Sequence, residues 1–257
     1  MDKILNSKII GDHPQHLMVI HGLFGQLDNW NTHGKKFGEY FTTHLLDLRN
    51  HGRSFHDDEM NFRVMIEDLL RYFEVHGISK AHFLGHSLGG RLVIDLAMTK
   101  GEIIDKLIVA DMAPKAYPPH HNAIFKALKS VDFSRVESRQ DVEEVLKQYI
   151  PEVGVRQFLL KNVYHTDQGY AFRFNLEALD RAYHTLVGED LSAGEFYGPT
   201  LFLAGAKSDY LLLEDEFEIK KRFPNAEIDR VSNAGHWLHA ENPTEFMAKC
   251  LEFLLRA

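Results

Sequence analysis

Residues 85–89 read Gly85-His86-Ser87-Leu88-Gly89, a Gly-x-Ser-x-Gly pattern directly after the apolar run Ala81–Leu84 and before the helical pattern Arg91–Met98. A serine hydroxyl attacks a carbonyl at neutral pH only when a base takes its proton and an acid orients that base. Glycines on both sides allow a strand-to-helix turn so tight that the serine adopts a strained backbone state, at a cost of about 1–3 kcal/mol. The result is an exposed Oγ at the amino end of a helix, where the dipole favours developing negative charge. The five residues alone also suit a glycine-rich turn with an incidental serine. Their place between strand and helix favours the nucleophile.

The base and its acid must come from elsewhere. Among 16 histidines, His236 lies in Asn233-Ala234-Gly235-His236-Trp237-Leu238-His239-Ala240, between the last strand pattern and the last helix. A loop there emerges at the same sheet edge as Ser87, so His236 is the expected base. His239 reads as structural, and His21 as ordering its loop. His120 and His121 are adjacent, but no third ligand stands at a metal-binding spacing. Two carboxylates give the chain order serine, acid, histidine: Asp111, closing Leu107-Ile108-Val109-Ala110-Asp111, and Asp209, in Ala204-Gly205-Ala206-Lys207-Ser208-Asp209. An aspartate at the end of an apolar strand is held by the sheet and shielded from water, which favours Asp111 and leaves Asp209 as the alternative. The Leu88 amide is one expected oxyanion donor and the Leu23 amide, in His21-Gly22-Leu23-Phe24-Gly25, the other. Each such donor contributes about 3 kcal/mol to the transition state.

These groups meet only if the chain builds a parallel sheet with covering helices, and short apolar runs alternate with helical patterns accordingly. Strands are expected at Leu17–Ile20, Thr43–Leu48, Ala81–Leu84, Lys106–Ala110, Thr200–Ala204 and Glu227–Val231, with Leu5–Ile10 as an antiparallel edge. Phe62, Met65, Ile66, Leu69 and Phe73 repeat at helical spacing up to Gly77. In the last helix Asn242 caps, Pro243 opens the first turn and Glu245 completes a capping box. Met247, Cys250, Leu251 and Leu254 form its inward stripe, so Cys250 reads as core. Residues 114–198 break the rhythm, with helical patterns at Ile124–Val131 and Val142–Ile150 and a hairpin-like Tyr170–Phe174. The expected division is a core of residues 1–113 and 199–257 and a cap, 114–198, over the carboxyl edge, where open α/β sheets bind ligands. Phe125, Phe158, Tyr164, Phe172, Phe174 and Tyr183 of the cap line an acyl pocket or, as helical spacing more often signifies, simply fill its core.

Composition sets the outer bounds. A chain of 257 residues fits one large α/β domain or two small ones, and its 44% hydrophobic content is enough for a sizeable core. The net charge of −8 argues against nucleic acid or an anionic membrane as partner. One cysteine excludes an intrachain disulfide and suits a reducing compartment. The opening Met1-Asp2-Lys3-Ile4-Leu5-Asn6 lacks a signal-peptide core, and no apolar run reaches about 18 residues. A cytoplasmic protein is expected.

Taken in order, "HGLFGQLDNW", "DLRNHGRS", "GHSLGGR", "VADMAP" and "NAGHWLHAENP" resemble the α/β-hydrolase superfamily over nearly the whole chain. The pattern is similar to that of the bacterial YbfF-type esterases. The resemblance implies a central, mostly parallel eight-stranded sheet and a helical cap. Most of the superfamily carries its acid at a Gly-x-x-Asp offset that here lands on Ser208. YbfF-type esterases take it from the segment matching "VADMAP", which implies Asp111. Asp47, Arg49, Gly52 and Arg53 then brace a loop near the entrance. The function expected is a serine carboxylesterase, with Ser87, Asp111 and His236 as triad, acting on small-molecule acyl esters or thioesters without metal or organic cofactor. Lactone or carbon–carbon hydrolysis by the same residues, or a small-ligand receptor without turnover, are the alternatives.

Overall fold

The computed structural model describes residues 3–256; Met1 and Asp2 of the opening segment, and Ala257, lie outside it. Strands and helices alternate through the first 110 residues as β1 (Ser7–Ile10), β2 (His16–Ile20), α1 (Asn31–Phe37), β3 (Thr42–Leu46), α2 (Phe62–His76), β4 (Ala81–His86), α3 (Leu88–Lys100) and β5 (Ile104–Ala110). Four helices follow, α4 (Asn122–Lys129), α5 (Arg139–Lys147), α6 (Val153–Leu160) and α7 (Leu176–Gly188), with the antiparallel hairpin of β6 (Val163–Thr166) and β7 (Gly169–Phe172) between the last two. The chain closes with β8 (Thr200–Gly205), α8 (Glu216–Arg222), β9 (Ala226–Val231), the single turn α9 (Leu238–Glu241) and α10 (Pro243–Leu255).

The main sheet has the order β1-β3-β2-β4-β5-β8-β9, parallel except for β1. It has seven strands among the described residues, one fewer than expected, because the single strand β1 precedes β2 and forms the edge. The inner strands are apolar almost without break because both faces are covered. Side chains alternate between faces: Met18, Ile20, Phe83, Leu107 and Val109 pack toward α2 and α3. Leu17, Val19, Leu84, Ile108 and Ala110 pack toward the side of α10. At the outer edge β9 turns Glu227 and Asp229 to solvent.

Helix ends follow local chemistry. Asn61 caps α2 by accepting from Val64 N–H, and Gly77 closes it with a left-handed φ of 64°. Asn242 accepts from Glu245 N–H at the start of α10. Glu245 does not return a bond to the Asn242 backbone, whose N–H goes to Leu238 O; its carboxylate instead takes Ser232 N–H and the Asn242 side-chain amide. The inward face of α10 is Phe246, Cys250, Phe253 and Leu254, with Met247 and Leu251 only half-buried. Burial pushes the Cys250 thiol pKa up, so it stays protonated and inert.

Between β5 and β8, α6 and α7 join the two helices expected there. Arg91, on α3 and 1% exposed, donates to Lys115 O at the start of this inserted segment and to Glu189 O just past the end of α7. Its guanidinium lies between the Phe62 and Tyr117 rings. Among the described residues no helix is long and apolar enough to cross a membrane.

Candidate active site

Ser87 sits between β4 and α3 with φ of 55° and ψ of −117°. A side chain at Gly85 would meet Gly89 O at 2.2 Å, so the crossing of strand and helix needs a glycine there. A side chain at Gly22 would press on Ser87 Cβ at 2.9 Å, which is why the loop after β2 can close over the serine. Non-glycine residues with positive φ recur around this point: Phe24 in that loop, Ser87, Asp111 after β5, and Asn233 in the loop after β9. Backbone strain thus collects where the three loops and the turn converge.

Asp111 is completely buried, and its N–H donates to Leu203 O at 2.9 Å, continuing the β5–β8 pairing by one residue. Its carboxylate accepts Gly205 N–H at 2.9 Å, Ser208 Oγ–H at 2.5 Å and His236 Nδ1–H at 2.8 Å. Asp209 is exposed and points its carboxylate at no protein donor among the described residues. With its Nδ1 proton committed to Asp111, the His236 ring keeps its Nε2 lone pair free. The ring stacks on Tyr210 at 3.9 Å and 18°, and His86 Nε2–H holds the His236 carbonyl at 2.8 Å. Burial pushes the Tyr210 hydroxyl up to about 12, so it stays neutral.

Ser87 and His236 face one cavity, with no direct hydrogen bond between them among the described residues. Catalytic contacts often tighten only when substrate is bound. The cavity has two chambers that share Leu23, Ser87 and His121. Chamber 1 is lined by His236, Trp237, Asn29 and, from the inserted segment, Ile124, Val155 and Phe158. Chamber 2 is lined by Leu88, Met112, Pro118, Leu186, Val187 and Tyr210. Among the described residues neither the Leu23 nor the Leu88 amide has a hydrogen-bond partner, and both residues border the space at Ser87.

Histidines hold the Leu23 loop in place. His21 donates Nδ1–H to Gly22 O at 2.8 Å and accepts Leu48 N–H on Nε2 at 3.1 Å. His51 donates to Arg49 O and accepts Phe24 N–H. Each ring uses one nitrogen as donor and one as acceptor, which requires the neutral form. Burial enforces it, lowering His21 to about 4 and His51 to about 3. Asp47 accepts Leu27 N–H and Arg53 N–H, with Gly52 at φ 55° beneath it, and Arg49 pairs with Asp68 through two bonds of 2.6 and 2.9 Å. The "DLRNHGRS" segment therefore braces the Leu23 loop. His239 stacks on Trp30 at 4.3 Å. Of the aromatics in the segment between β5 and β8, Phe158 and Tyr183 border the chambers, while Phe125 and Phe174 pack around Phe24 as core.

A serine turn, an acid and a histidine in this chain order, around a mostly parallel sheet, is the arrangement of the α/β-hydrolase fold. The alpha/beta hydrolase family model matches residues 17–249, and the chain belongs to that family. It is 35% identical over 240 residues to esterase YbfF of Escherichia coli K12, covering 93% of this chain and 92% of the relative. It is 33% identical over 246 residues to the sn-1-specific diacylglycerol lipase ABHD11 of Danio rerio, covering 93% and 78%. A solved marine microorganism esterase superposes with a TM-score of 0.95 at 35% identity, covering 98% of this chain and all of that one.

Proposed function

We propose that this hydrolase is a serine carboxylesterase acting on short- to medium-chain acyl esters, thioesters included, through an acyl-enzyme. The observation that carries the proposal is the buried Asp111 carboxylate holding His236 in a single tautomer beside Ser87. His236 Nε2 takes the Ser87 proton as Oγ attacks the carbonyl carbon. The Leu23 and Leu88 amides stabilise the oxyanion, and the imidazolium returns its proton to the leaving oxygen or sulfur. Water then occupies the vacated side and gives a proton to the same nitrogen as its oxygen attacks the acyl carbon; the Ser87 Oγ–carbon bond breaks, the acid leaves, and the imidazolium returns its proton to Oγ. No step requires a metal or organic cofactor. The names of the bacterial and zebrafish relatives, an esterase and a lipase, support ester substrates. The lone, buried Cys250 accords with a cytoplasmic setting.

Ser87→Ala tests this reading. Hydrolysis of nitrophenyl acetate and butyrate, and labelling by a fluorophosphonate, should both vanish while the thermal midpoint stays within a few degrees. Appreciable retained turnover rejects Ser87 as nucleophile. Saturable ester binding by the wild type without labelling supports a receptor instead.

A further inference from the structure

The forked cavity raises a question that the triad alone does not answer: which half of the ester enters which chamber. We infer that the substrate is split at its scissile bond, its acyl chain in chamber 2 and its alcohol portion in chamber 1. The inference rests on the serine-esterase reading and names the substrate class for it: an apolar acyl chain on an alcohol small enough to sit beside His236.

The tetrahedral carbon formed by attack carries four groups, and three have fixed positions. Ser87 Oγ is the new bond. The oxyanion lies against the Leu23 and Leu88 amides. The alkoxide oxygen must lie within reach of His236, because the proton taken from Ser87 is delivered there as the carbon–oxygen bond breaks. His236 borders chamber 1 and not chamber 2. The alcohol therefore leaves through chamber 1, and the remaining substituent, the acyl chain, points into chamber 2.

The linings agree independently. Chamber 1 presents Asn29, His21, His86 and His239 along its core side, groups suited to an oxygen-bearing leaving group and to the water of deacylation. Chamber 2 is walled by Leu88, Met112, Pro118, Leu186 and Val187, with no carboxylate and with tyrosine hydroxyls that burial keeps neutral; Arg91, His120 and His121 also border it, the Arg91 guanidinium being committed to the Lys115 and Glu189 carbonyls. Its far end continues past Tyr117, Pro118 and His120 into a surface groove, so an acyl chain longer than the chamber has an exit.

Two ladders of substrates separate the halves: ethyl esters of acids from acetate to octanoate, and acetates of alcohols from ethyl to octyl. Val187→Phe narrows chamber 2 and should lower the octanoate-to-acetate ratio of kcat/KM at least 10-fold, leaving the alcohol ladder in its wild-type order. Ile124→Phe narrows chamber 1 and should compress the alcohol ladder by a similar factor, not the acyl ladder. The widening pair Val187→Ala and Phe158→Ala makes the same comparison with the opposite sign if either bulky variant misfolds by circular dichroism. Exchanged effects, equal effects on both ladders, or no effect on either overturn the assignment. Fluorophosphonate labelling of the wild type in the same series keeps the two levels apart. Labelled enzyme with exchanged ladders sinks only the chamber assignment, whereas an unlabelled, inactive wild type sinks the esterase reading and this inference with it.

Discussion

Asp111 combines a left-handed backbone, φ 54°, with complete burial and three hydrogen bonds on its carboxylate. Aspartate tolerates that conformation better than most residues, and here it turns the carboxylate across β8 toward the loop after β9. Asp111→Asn would keep the shape, yet an amide facing His236 favours the wrong tautomer. Turnover of nitrophenyl butyrate should fall on the order of 10⁴-fold. Asp209→Asn alters an exposed side chain and should leave turnover within about twofold, the size of change expected for a surface substitution; a larger loss at 209 than at 111 would contradict the geometry. The placement of Ser87 and His236 on one cavity was legible in the sequence because glycine spacing and position between elements mark them. Ser208 was not. Its hydroxyl serves Asp111 only because β5 and β8, about 90 residues apart in the chain, are neighbours in the sheet; the Gly-x-x-Asp offset marked the position but not the hydrogen bond.

The helix that begins at Ser87 also ties down the inserted segment. Arg91, one turn into α3, holds Lys115 O, where the chain leaves β5, and Glu189 O, just past the end of α7. Both carbonyls lose their donor in Arg91→Met; they belong to part-exposed residues that water can reach, so the cost is at the low end, about 1 kcal/mol. The urea midpoint should drop accordingly, with limited proteolysis appearing first near residues 115 and 189 and KM rising more than kcat falls. An unchanged midpoint with unaltered proteolysis would mean that the packing of α4 and α7 holds the segment without this clip. Strands were the most legible elements, since β2, β4, β5 and β8 are short apolar runs bounded by glycine or polar turns. The helices α6 and α7 were harder to read. The first contains Gly154 and lacks a side-chain cap, and the second buries a stripe of Ala178, Leu179, Tyr183 and Leu186 against neighbours that only the fold supplies. The capping box at α10 failed for a related reason: Ser232 in the preceding loop competes for Glu245.

Across the whole molecule, the buried histidines make stability a function of pH. Burial, the largest cause in each case, lowers His21 to about 4 and His51 and His86 to about 3 from an ordinary value of 6.5. The folded chain therefore keeps these rings neutral down to pH 4 or below, while the unfolded chain protonates them below 6.5. Between those limits the unfolded state binds more protons, so stability is full above pH 6.5 and declines as pH falls. Each ring contributes about 2 kcal/mol of loss by pH 5, an upper-range figure for three rings set against a total stability of about 5–15 kcal/mol. Urea midpoints measured from pH 8 to 5 should be flat above about 7 and fall steeply below 6. His51→Gln removes one titrating ring, at the cost of weaker support for the Phe24 amide, and should shallow that slope even as it lowers the plateau. Because His21, His51 and His86 brace the Leu23 loop and the His236 backbone, esterase activity should be lost over the same range in which the fold opens. Midpoints that stay level to pH 5, or a His51→Gln variant with an unaltered slope, would show that these rings do not control the acid limit of the fold.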